Sequence, residues 1–85
     1  MKVRLQAEVT ATDSEDGIVL LDQRDGRYFQ LNATGAATLR LLLEGHTLED
    51  AAAALAERAP VRVEQALADV RELLATLRNA RLVIA

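Results

Sequence analysis

The stretch Asp25-Gly26-Arg27-Tyr28-Phe29-Gln30-Leu31-Asn32-Ala33-Thr34-Gly35 decides the fold of this 85-residue chain. Asp-Gly supplies the positive φ angles that a tight hairpin requires, so Arg24 to Arg27 reads as a turn. Tyr28 to Leu31 is then the returning strand. Asn32 is a good helix N-cap, because its side-chain oxygen accepts a bond from an otherwise unpaired first-turn N–H. The stretch also carries both aromatic residues, Tyr28 and Phe29. Adjacent strand residues point to opposite faces, so at most one ring lies under the sheet in the core. The other is a recognition candidate.

Upstream, Val3, Leu5, Ala7 and Val9 alternate with polar residues from Lys2 to Thr10, the period of a half-buried strand. Thr12 to Gly17 reads as a polar loop. Ile18-Val19-Leu20-Leu21-Asp22 suits a central strand covered on much of both faces. Downstream, a first helix runs to about Glu44 and stops at Gly45, a preferred left-handed residue. Its apolar positions nearly encircle it, so it should be the most buried helix. Thr47 caps a second helix with an acidic first turn, and Pro60 ends it. A third helix spans about Val63 to Arg78 without a good N-cap. Val63, Ala66, Leu67, Val70, Leu73, Leu74 and Leu77 give it a wide apolar face. Leu82-Val83-Ile84 is a short strand or a packed tail. The pattern predicts one α+β domain over residues 1–85, winged helix-turn-helix-like, with a three-stranded antiparallel sheet followed by three helices.

Composition narrows the function. Hydrophobic residues make up 51% and charged residues 27%, as in a folded globular chain. Without cysteine there are no disulfides, thiolate nucleophiles or cysteine zinc sites. The lone His46 follows a helix-ending glycine, with no second ligand nearby. Asp13, Glu15 and Asp16 miss the calcium-loop spacing. No nucleophile–base set can be assembled, so neither an enzyme nor a cofactor is expected. The first residues lead straight into a strand and no apolar run reaches membrane-span length, which predicts a cytoplasmic protein with no membrane contact.

In order, Gly17-Ile18-Val19-Leu20-Leu21, Tyr28 with Leu31-Asn32, Gly35, Leu42 with Gly45 and Thr47, and Asp69-Val70 with Leu73, Leu74 and Leu77 form a specific set. This set resembles the PqqD-like proteins, the precursor-peptide recognition elements of ribosomal peptide biosynthesis. It is most similar to the stand-alone recognition subunit of split lasso-peptide leader peptidases. One departure is that the family usually has Gly after the last helix, where this chain reads Asn79-Ala80-Arg81. Asn79 is expected to take the left-handed turn in its place.

The resemblance implies binding without catalysis. Such domains hold a precursor's leader segment as an added strand against their third strand, beside the third helix, and deliver it to separate enzymes. Here those would be a leader peptidase and a cyclase, with the domain itself a monomer or weak dimer.

The residues argue the same way alone. A short outer strand without Pro or Lys leaves its edge open to a guest chain. Arg27, Tyr28, Phe29, Gln30 and Leu31 would supply that edge. On helix three, Leu67, Arg71, Leu74 and Arg78 form a Leu/Arg seam bordering the apolar face, joined by Val70, and suit a groove for apolar and acidic peptide side chains. Arg78 in a last turn also complements the helix dipole. The competing reading is a winged-helix nucleic-acid binder with helix three in the major groove. Against it, the net charge is −3 and the basic residues are scattered.

Overall fold

The computed structural model describes residues 2–85. Its elements are β1 (Arg4–Leu5), β2 (Val9–Ser14), β3 (Gly17–Asp22), β4 (Arg27–Asn32), α1 (Ala33–Leu43), α2 (Leu48–Arg58), α3 (Val63–Asn79) and β5 (Val83–Ile84). The main sheet has the order β2-β3-β4, antiparallel throughout; α1 packs on β3 and β4, α2 on α1 and α3, and α3 also on β5. This is the α+β arrangement that the sequence predicts.

The N-terminal strand differs from expectation. The alternation from Lys2 to Thr10 is continuous, but the chain turns at Ala7 and Glu8, with Val9 N donating to Gln6 O at 3.0 Å. The first half becomes β1, which pairs with β5. The terminal Leu82-Val83-Ile84 run is therefore partly a strand, and it closes a second, two-stranded sheet. The polar segment Thr12 to Gly17 is also not a loop. Thr12 to Ser14 continue β2, and only Glu15 and Asp16 turn.

Gly17 explains how so short a turn works. Its φ is +151°, and a Cβ there would overlap the carbonyl oxygen of Leu31 on β4. Only glycine allows that close approach of the two strands.

Leu20, Leu39, Leu42, Val70 and Leu77 are fully buried and hold the helices to the sheet. α1 is the most buried helix, as its pattern predicts. Asn32 caps it by accepting from Gly35 N at 2.8 Å, and Gly45 leaves it at φ +99°. Thr47 and Asp50 form a capping box on α2. Val63, assigned to the apolar face of the third helix, is instead half exposed at its first turn. Among the described residues, no helix is long and apolar enough to cross a membrane.

Candidate functional site

β4 is an edge strand, and three features make its edge usable. First, among the described residues no main-chain hydrogen bond reaches Tyr28 to Asn32 from any element but β3 and α1. Second, the outward groups can be assigned. The carbonyl of Leu31 lies against Gly17, so Leu31 directs its main-chain groups toward β3. Polar groups alternate along an antiparallel strand, which turns those of Tyr28 and Gln30 to the open side. Third, β4 carries no Lys or Pro to block pairing.

The side chains of β4 divide cleanly. Phe29 and Leu31 point under the sheet, opposite the buried Leu20 and Ile18, and Phe29 packs against the core while half exposed. Tyr28 and Gln30 point to the other face, and Tyr28 is 72% exposed. Of the two rings, Phe29 is thus the one in the core and Tyr28 the free one. Leu31 is buried, with its side chain in the core.

A cleft separates β4 from α3 and is hollowed at both ends. At the start of β4, Tyr28 and Phe29 line a small cavity of ≈ 60 Å³ with Ala80 and Leu82. Beyond the end of β4, a hollow of ≈ 310 Å³ lies among the three helices, with Thr34, Gly35 and Thr38 of α1, Leu55 of α2, Ala59 and Val61 after it, and Asp69, Val70 and Leu73 of α3. On the α3 side the hollows are lined by Asp69, Val70, Leu73 and, just past the helix, Ala80.

The seam expected from sequence occupies other positions on the helix. Leu67, Arg71, Leu74 and Arg78 line neither hollow. Leu74 is buried and Leu67 half-buried in the core, whereas Arg71 and Arg78 are exposed. At 100° per residue, Arg71 lies about 160° around the helix from Asp69, on the opposite border. Both borders of the apolar face carry charge, so sequence alone could not choose between them. Leu73 and Asp69 line the larger hollow and are not among the site residues expected from sequence.

The charged end of the cleft is a built structure. Asp22, 2% exposed, accepts a bidentate pair from Arg24, Nε to Oδ1 at 2.9 Å and Nη2 to Oδ2 at 2.9 Å. The Arg24 main-chain N–H adds a third bond to Oδ1 at 3.0 Å. The Arg24 side chain holds the Asp22 carboxyl below the usual carboxylate range, although burial opposes the shift. The same guanidinium donates to the carbonyl of Arg81, tying the end of α3 to the β3–β4 turn. Arg27 pairs with Asp25 at 2.9 Å, exposed at the rim.

The turn after α3 is a Schellman motif. Leu82 N donates to Leu77 O at 2.9 Å and Arg81 N to Arg78 O at 3.0 Å. The left-handed residue is Arg81, at φ +61°, and not Asn79.

Known proteins share this arrangement. The chain matches a family described as coenzyme PQQ synthesis protein D (PqqD) over residues 17–83. A solved lasso peptide synthetase B1, complexed with the leader peptide, superposes with a TM-score of 0.94 at 33% identity, covering 100% of both chains. TbiB1, in complex with the TbiA(beta) leader peptide, does so with a TM-score of 0.84 at 31% identity, over 98% of this chain and 94% of that one. No curated protein is significantly similar in sequence. With a match through all three helices and the two strands that build the cleft, the chain belongs to the PqqD family.

Proposed function

We propose that this protein binds the leader segment of a ribosomally made precursor peptide as an added strand along β4, beside α3, and presents it to separate processing enzymes. A leader protease and a cyclase of lasso-peptide synthesis are those enzymes. Its own role is non-catalytic. The observation that carries this reading is the unpaired edge of β4, whose Tyr28 and Gln30 groups face a cleft in a fold shared with two leader-bound proteins.

Magnitudes say which part of the site decides affinity. Tyr28 and Gln30 can each exchange two main-chain bonds, and about four such bonds contribute ~2–6 kcal/mol. Association costs ~4–15 kcal/mol, so pairing alone holds a peptide weakly. Each large apolar side chain buried in a hollow adds ~1.5–3 kcal/mol. The Val70–Leu73 hollow is the roomier anchor site, with Asp69 on its rim favouring neutral or basic neighbours. Arg27, at the other end, favours an acidic one.

A fluorescein-labelled peptide with the sequence of the leader encoded beside this protein tests the reading by anisotropy. Saturable binding at or below ~10 µM is expected, weakened when Leu73 becomes Asp. Absence of binding at ten times that concentration would remove the proposal.

A further inference from the structure

The cleft does not end where β4 ends. A second hollow, ≈ 210 Å³, lies between α1 and α2, walled by Ala33, Ala37 and Leu41 on one side and by Ala54 and Arg58 on the other. Thr34, Thr38, Leu55 and Ala59 line both this hollow and the one beneath Val70 and Leu73. The two hollows therefore adjoin, one beyond the Asn32 end of β4 and the other in the groove between the first two helices.

Strand direction says which part of a guest lies there. Antiparallel pairing is slightly more stable per residue than parallel, and it continues the pattern of this sheet. A guest antiparallel to β4 has its earlier residues at the Asn32 end, where α1 begins and both hollows reach its first turn. From Thr34 to Leu41 the helix rises ~10 Å, a span that ~3 residues of extended chain cover.

Resting on the proposed peptide binding, we infer that the guest segment just before the paired stretch continues into the α1–α2 groove and seats one large apolar side chain there. An engineered cavity of ~150 Å³ holds benzene, so this hollow admits a single ring or branched aliphatic side chain. Its walls are alanine, leucine and threonine methyl groups. Thr38 Oγ1 is already bonded to Thr34 O at 3.0 Å, so it makes no polar demand on the occupant. Arg58 at the rim forms no ion pair among the described residues and is free to cover the seated group. The peptide is thus read twice, by pairing along β4 and by an anchor ahead of it.

Selection from a random peptide display library against the whole protein, with no leader sequence assumed, tests this. Selected binders that lose affinity for Gln30→Pro are edge binders. Trimming the residues before their paired stretch should weaken binding by ~10-fold or more, whereas trimming an equal length after it should not. Ala54→Glu and Ala54→Leu, which fill the hollow at a half-exposed position, should weaken the long peptides and leave the trimmed ones unchanged. Equal affinity of long and trimmed peptides, or equal response of both to the Ala54 variants, overturns the inference while leaving edge binding intact. A library that yields no binder sensitive to Gln30→Pro overturns the underlying peptide-binding reading itself.

Discussion

The two ends of the β4–α3 cleft are built differently. At the start of β4 the sheet and α3 are tied together. Asp22, Arg24 and the Arg81 carbonyl form a continuous set of hydrogen bonds, and only ≈ 60 Å³ remains beside Phe29 and Ala80. At the far end no side chain bridges β4 to α3 among the described residues, and the space opens to ≈ 310 Å³ beneath Val70 and Leu73. The difference teaches that the long helix is tied by hydrogen bonds at one end and held by core packing alone at the other. The tied end sets the angle of α3, and the open end leaves room for a guest strand and its anchor.

The largest effect is expected at the glycine that shapes the open end. Gly17→Ala would push a methyl group into the Leu31 carbonyl and displace the end of β4, where Asn32 starts α1. We expect a loss of more than ~2 kcal/mol, or a fall in Tm of ~10 °C or more, read by thermal unfolding. An unchanged melting temperature would show that the close strand approach is unimportant.

A smaller loss is expected at the tied end. Asp22→Ala leaves Arg24 without its bidentate partner and frees the end of α3, so amide exchange at Ala80 to Leu82 should accelerate more than at Val70. The pH dependence has a definite sign. The Asp22 carboxyl is lowered in the folded state, so its contribution is present above the ordinary value of ~3.9 and is lost as pH falls through the folded value. Wild type should therefore lose stability in acid more steeply than Asp22→Ala. Parallel curves would remove this pair from the account.

Next in size is a contrast of two prolines on one strand. Gln30→Pro removes an outward N–H and should weaken leader binding by ~10-fold or more at modest cost to the fold, measured by anisotropy and thermal melting. Leu31→Pro removes a bond to β3 and should unfold the hairpin. If the two variants behave alike, the assignment of inward and outward groups is wrong.

The smallest effect is a gain. Arg81→Gly relieves a left-handed backbone while keeping the carbonyl that Arg24 binds, and should stabilise by ~0.5–1 kcal/mol in chemical denaturation. A loss would mean that the Arg81 side chain holds the turn.

Much of this was legible in the sequence because the signals were local. Asp25-Gly26, the Asn32 cap, Gly45 and the Thr47 capping box each act within four residues, and each appears where its chemistry places it. The failures came from long-range choices. Lys2 to Thr10 alternates without a break, yet pairing with β5 takes half of it into a second sheet. Thr12 to Ser14 look like loop, but the register with β3 carries them as strand. Tyr28 and Phe29 were recognised as a divided pair, although which ring faced inward depended on β3 register, with Phe29 opposite Leu20. Which border of α3 lines the larger hollow depended on how α1 and α2 pack, and helical spacing marks two borders equally well.

Amide hydrogen exchange by NMR, with and without the leader peptide, most directly tests pairing along β4. The account predicts that the amides of Tyr28 and Gln30 exchange freely in the unbound protein and become protected on binding, while Phe29 and Leu31 are protected in both states. Saturating peptide that leaves Tyr28 and Gln30 exchanging as before would contradict it.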